Sequence, residues 1–91
     1  MPIRWLRKAL RSLEQAHDFL AQESPEAAIQ LVLRIRVATD KLANYPAMGR
    51  PGRVDGTKEL VILGSPYLVI YRVKGQRVEI LRVLHGSRKY P

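Results

Sequence analysis

The sequence predicts an α+β fold: a short N-terminal strand, then an antiparallel two-helix hairpin packed on an antiparallel sheet of three to four strands. Three observations carry this. Apolar residues recur every three or four positions as far as Leu42. A Gly- and Pro-rich stretch, "YPAMGRPGRVDGT", then interrupts the pattern. From Lys58 onward the period becomes two, in runs rich in Val, Ile and Tyr. The 91 residues form a single domain, 1–91, with no repeats and no low-complexity tract.

Each element has a local cause. Pro2 to Leu6 is a brief strand candidate. Leu6, Leu10, Leu13, His17 and Leu20 form the stripe of a first helix, with Ala9 and Ala16 beside it permitting close packing; the helix fades near Gln22 or Glu23. Ser24-Pro25-Glu26 starts a second helix. The serine oxygen takes a free N–H, proline fits the first helical position, and Glu26 complements the positive helix end. Its stripe is Ala28, Leu31, Ile35, Ala38 and Leu42, widened by Val32 and Thr39. Pro46 disfavours helical geometry at Tyr45, so this helix stops by Asn44. The short connection between the two makes them antiparallel neighbours.

Three strands follow, Lys58–Leu63, Tyr67–Val73 and Arg77–Leu84. Gly64-Ser65-Pro66 and Lys74-Gly75-Gln76 separate them as hairpin turns. On the middle strand Tyr67, Val69, Tyr71 and Val73 share one face, and Leu68, Ile70 and Arg72 the other. The helices cover one face. The other is left partly apolar, and the last strand is expected at an edge with unpaired backbone groups. On that strand the alternation sets Arg82 among Val78, Ile80 and Leu84, so its guanidinium must find an anion or water.

The charge is strongly basic and unevenly spread. Sixteen Lys and Arg face eight Asp and Glu, net +8. Residues 1–48 carry seven cations and five acids, whereas residues 49–91 carry nine and three, so the excess lies in the C-terminal part. Such a field favours anionic partners. There is no cysteine, which excludes disulfides and thiolate metal sites. No stretch approaches a membrane span and the N-terminus does not read as a secretory signal, so no membrane partner is expected and the expected location is cytoplasmic. His17, alone on its helix, reads as a hydrogen-bonded residue at the core edge, and neither a metal nor a cofactor is expected.

The loop Pro46-x-x-Gly49-Arg50, the strand start Lys58-Glu59-Leu60, the pair Tyr67-x-x-x-Tyr71 and the ending Val83-Leu84-His85-Gly86-Ser87-Arg88-x-x-Pro91 occur in order over nearly the whole chain. In this the sequence resembles the RelE/ParE superfamily of bacterial toxins. The resemblance implies a small toxin of a type II toxin–antitoxin system, held inactive by a cognate antitoxin, ParD-like or otherwise acidic, in a hetero-oligomer with two toxins on an antitoxin dimer. It also implies one of two targets. The ParE-like branch stalls DNA gyrase on cleaved DNA; the RelE-like branch cleaves mRNA on the ribosome.

Metal-free RNA cleavage needs a base, a phosphate clamp and an acid. The candidates are His85 or Glu59 as base, Arg82, Arg88 and Lys58 as clamps, and Tyr90 as acid or stacking platform. Lys58 and Glu59 alternate to opposite faces of a regular strand. The mRNA-cleaving branch carries a basic residue after the first tyrosine of the middle strand, and here that residue is Leu68. The expectation is therefore a gyrase poison without its own catalysis, the alternatives being a RelE-type endoribonuclease or an inactive toxin acting as co-repressor. Candidate target contacts are Arg50, Arg53, Arg82, His85, Arg88, Lys89 and Tyr90. Candidate antitoxin contacts are Tyr67, Val69, Tyr71, Arg72 and Arg82.

Overall fold

A computed structural model gives the fold; it describes residues 1–87 and 90. The elements run β1 (Ile3–Trp5), α1 (Arg7–Ala21), α2 (Pro25–Asp40), a 3₁₀ turn (Lys41–Ala43), β2 (Arg50–Pro51), β3 (Lys58–Val61), β4 (Tyr67–Lys74) and β5 (Arg77–His85). The capping expected at Ser24 is present, since its Oγ accepts the Ala27 N–H at 3.1 Å. Gly75, with φ of 61°, opens the turn between β4 and β5 as the first residue of a Gly-Gln pair, which suits the twist of adjoining strands.

The sheet is larger than expected and mixed rather than purely antiparallel. Five strands stand in the order β1-β5-β4-β3-β2, and β1 lies parallel to β5. Pairing with β1 covers β5 from Val78 to Ile80, and the Pro2 carbonyl accepts the Val78 N–H at 2.8 Å. β5 is therefore internal over its first half, not an edge. The edges are the three-residue β1 and the two-residue β2, which contains Pro51; short strands and proline both discourage pairing with other chains.

The second departure is a β-bulge. Ile70 pairs with Arg82 while Tyr71 pairs with Ile80, which leaves Leu81 as the extra residue. Strict alternation would have put Arg82 on the same face as Val78 and Ile80. The bulge moves it to the opposite face, with Leu84, and turns Val83 into the core instead.

The helices cover one face of the sheet. Leu31, Ile35 and Leu42 from the α2 side meet Leu60, Ile62, Val69, Tyr71, Val78, Ile80 and Val83. Fully burying an aliphatic side chain of this size contributes about 1.5–3 kcal/mol. On α1 the buried residues are Ala9, Ser12 and Ala16, and Leu10 is 52% exposed. The inner face of α1 is thus rotated from the leucine stripe toward small residues, which allow the helix to sit close against β5. Ser12 makes that approach specific. Beyond the end of β1 the Val83 N–H has no strand beside it, and it donates to Ser12 Oγ at 2.8 Å, while Ser12 donates to Ala9 O at 3.0 Å.

The loop between α2 and β2 is tied down by Tyr71. Its buried hydroxyl donates to Pro46 O and accepts from the Gly49 N–H, both at 2.8 Å. A Cβ at residue 49 would stand 2.7 Å from the Tyr71 ring, so glycine is required for this approach.

Ser12→Ala leaves the Val83 N–H buried and unpaired. The expected loss is about 1–3 kcal/mol, seen as a lower urea midpoint at unchanged slope. An unchanged midpoint would show that water replaces the serine.

Candidate functional site

Register decides which side chains stand on the sheet face turned away from the helices. One row crosses four strands: Arg50 of β2, Glu59 of β3, Ile70 of β4 and Arg82 of β5. Two residues along, a second row holds Arg72 of β4, Glu79 of β5 and Arg4 of β1. Arg77 lies two residues before Glu79 on the same face. On the other side of the first row are Val61, Leu68 and Leu84.

The apolar part of this face is largely self-covered. Leu68, Ile70 and Leu84 are buried, with Leu81 and Tyr90 packed against them. The Arg53 guanidinium sits over the Tyr90 ring at 4.7 Å, a favourable cation–ring arrangement. What remains at the surface is mostly charge, with Val61 exposed at the margin.

Two carboxylates lie beneath that charge, each with only 4% of its side chain exposed. Glu59 Oε1 accepts from Arg50 Nε at 2.9 Å; its second oxygen is buried without a hydrogen-bond partner among the described residues. Glu79 accepts from Arg72 Nε at 2.7 Å and from Arg77 Nε at 2.9 Å, one arginine per oxygen. The hydrogen bond from Arg72 is the main cause holding the Glu79 carboxyl below the ordinary carboxylate range; burial opposes it and Arg77 adds to it. Burial pushes the Tyr71 phenol up, against the hydrogen bond from Gly49.

The structure divides the residues singled out in the sequence. Arg50, Arg53, Glu59, Arg72, Arg82 and Tyr90 share the open face. Lys58 and His85 do not: they pair with Tyr71 and Tyr67, and so belong to the helix-covered face. The His85 ring meets Tyr67 edge-on at 5.4 Å, and its Nδ1 accepts the Ser87 N–H at 3.2 Å. Arg82 and His85 nevertheless line one cavity of about 500 Å³ at the end of β5, with Ser12, Gln15, Phe19 and Tyr67. Lys58 and Glu59 stand on opposite faces, as the alternation implied. Val69 and Tyr71 are fully buried under the helices, so no partner reaches them while the hairpin is docked. Tyr67 is partly exposed. Arg88 and Lys89 lie outside the described residues.

Three residues of this face escaped the sequence reading: Arg4, Arg77 and Glu79. Counting outward from the Gly75-Gln76 turn would have placed Glu79 opposite Arg72. Arg4 gives no such signal, since its place depends on the parallel pairing of β1.

A second surface lies on the helical side. Ile29, Leu33 and Val37 form an exposed apolar stripe along α2. A groove of about 470 Å³ separates Leu33 and Val37 from Met48, Val61 and Leu63.

Residues 3–90 match the family model described as "ParE toxin of type II toxin-antitoxin system, parDE". The chain belongs to this family, within the RelE/ParE superfamily. It is 45% identical to Y4kP of Sinorhizobium fredii, a provisionally named toxin, over 98% of this chain and 92% of that one. It is 38% identical to toxin RelE2 of Caulobacter vibrioides, over 92% and 93% respectively. Among solved structures it resembles the chromosomal ParDE system from P. aeruginosa, with a TM-score of 0.80 and 31% identity, covering 91% of this chain and 92% of that chain.

Glu79 predicts an acid-dependent stability. A carboxyl whose pKa is lowered by folding stabilises the fold above its ordinary value, and this contribution disappears as pH falls through the lowered one. Glu79→Gln should therefore melt below the wild type at neutral pH, and thermal melts should converge only once the solution is acidified through the lowered value, below the ordinary carboxylate range. A gap that persists there would mean the ion pairs are not its source.

Proposed function

We propose that this toxin is a DNA gyrase poison of the cytoplasm, neutralised by a cognate antitoxin. The observation that carries the target is the separation of Glu59 and Lys58 from each other and from the cavity lined by Arg82 and His85. General acid–base cleavage requires its groups within hydrogen-bond reach of one phosphate. Here Arg82 and His85 share a cavity at the end of β5, but Lys58 and Glu59 lie outside it and on opposite faces of β3. Glu59, the base candidate left on the open face, is buried against Arg50. A poison needs no such set; it needs a surface that stabilises one state of a larger machine.

The antitoxin reading is supported by the ParDE neighbour and by the helical side of the molecule. The stripe Ile29, Leu33 and Val37, with Leu63 across the groove, is flanked by Arg34 and Lys41. An amphipathic acidic segment fits this combination of apolar floor and basic rim. Beyond Glu59, β3 is not paired with β2. Ile62 donates to Tyr67 O, so alternation turns the backbone of Val61 outward, where an added strand can pair.

In a supercoiling assay with purified gyrase and plasmid, the toxin should inhibit supercoiling and trap linear DNA, and the antitoxin should reverse both. Cleavage of mRNA on translating ribosomes with no effect on gyrase would overturn the proposal. Leu33→Asp combined with Val37→Asp should weaken antitoxin binding by about 2 kcal/mol or more in titration calorimetry. Unchanged affinity would place the antitoxin elsewhere.

A further inference from the structure

We propose that the open face of the sheet is a binding site for duplex DNA, in which the two buried glutamates act as anchors for arginines that grip the phosphate backbone. This rests on the gyrase reading for its biological setting, but not for its chemistry. The three ion pairs on this face among the described residues are made the same way. Arg50, Arg72 and Arg77 each donate through Nε, the nitrogen nearest the stem, to a carboxylate that is 4% exposed. The arginines themselves remain 39–59% exposed. Anchoring at Nε fixes the guanidinium plane and leaves the terminal amino groups as donors. A fixed fork of this kind suits a phosphate, to which arginine donates in pairs.

The arrangement is broad. Arg50 and Arg82 end a row that spans three strand intervals, roughly 14 Å, and the row of Arg4 and Arg72 runs beside it roughly 7 Å away. Arg53 adds a sixth guanidinium over Tyr90. Against these stand two acids, Glu59 and Glu79, both beneath the surface. An area this cationic, with its apolar centre already covered, has the character of a protein–DNA contact; the centres of protein–protein contacts are depleted of charge.

Duplex is favoured over single strands by the state of the aromatic side chain. Proteins that hold single strands stack bases on exposed aromatic rings. On this face the described ring is that of Tyr90, which lies against the apolar patch and is capped by Arg53.

The test uses the toxin alone, without gyrase, and measures binding to a mixed-sequence DNA duplex by fluorescence anisotropy across a salt series. Two double variants remove the same charge: Arg72→Gln with Arg77→Gln on the sheet, and Lys8→Gln with Arg11→Gln on the outer side of α1. The sheet pair should lose roughly tenfold or more in affinity and lower the salt slope by about 2, and the helix pair should change little. Glu59→Gln gives the sharper result. It makes the protein more positive, so diffuse attraction would tighten binding, whereas loss of an anchor for Arg50 weakens it. Circular dichroism checks that each variant is folded; if the Arg72 and Arg77 pair is not, Arg50→Gln with Arg53→Gln replaces it. Equal losses from both pairs, tighter binding by Glu59→Gln, a preference for single-stranded RNA, or no binding at low salt would each overturn the proposal. Because gyrase is absent, failure here leaves the supercoiling result to be judged separately.

Discussion

The extra residue at Leu81 is the constraint on which the rest of this molecule depends. β5 begins as a core strand, with Val78 and Ile80 under the helices, and it must also carry an arginine two positions further on. Without the bulge that guanidinium would enter an apolar core, at a cost no partner there offsets. With it, Val83 replaces Arg82 beneath the helices and Arg82 joins the open face. One backbone irregularity therefore completes both the core and the cationic surface. It also makes Ser12 necessary, because the displaced strand presents Val83 N–H to α1 where β1 has already ended.

The division of labour between the two faces follows. The helical side carries the apolar stripe of α2 and the groove beside β3; the open side carries six arginines among the described residues, its apolar centre covered and Val61 exposed at its margin. A single partner that needs grease and one that needs positive charge are thus offered different surfaces. Masking by an antitoxin on the helical side would leave the arginines untouched unless the same segment also crosses the sheet.

Much of the architecture was legible because its causes are local. Ser24-Pro25-Glu26 starts a helix through groups one to three residues apart, and the alternation from Tyr67 to Val73 states which residues face the helices. What was not legible depends on distant pairing. Nothing in Ile3-Arg4-Trp5 says that its neighbour is β5 or that the two run parallel, and so the place of Arg4 was missed; the uncounted strand is β2, Arg50–Pro51, inside the Gly- and Pro-rich stretch read as a loop. The bulge was hidden for a similar reason: a run such as Val78 to Leu84 reads as regular until its partner's register is known. His85 and Arg82 alternate to opposite faces, yet at the end of β5 both line one cavity, so their nearness in sequence was a fair guide. Glu79 is different, since the Gly75-Gln76 turn fixed its partner and only the count was lacking.

The parallel pairing of β1 with β5 has a consequence for the birth of the molecule. β1 precedes and β5 follows every other element in the chain, yet β5 stands between β1 and β4, one strand in from the edge. A nascent chain can therefore join α2 to β2, β3 and β4, but β1 has no strand to pair with until β5 is made. Arg82, Arg77 and the carboxylate that anchors Arg72 all arrive with that last strand, so the row of guanidiniums is completed at the end of synthesis.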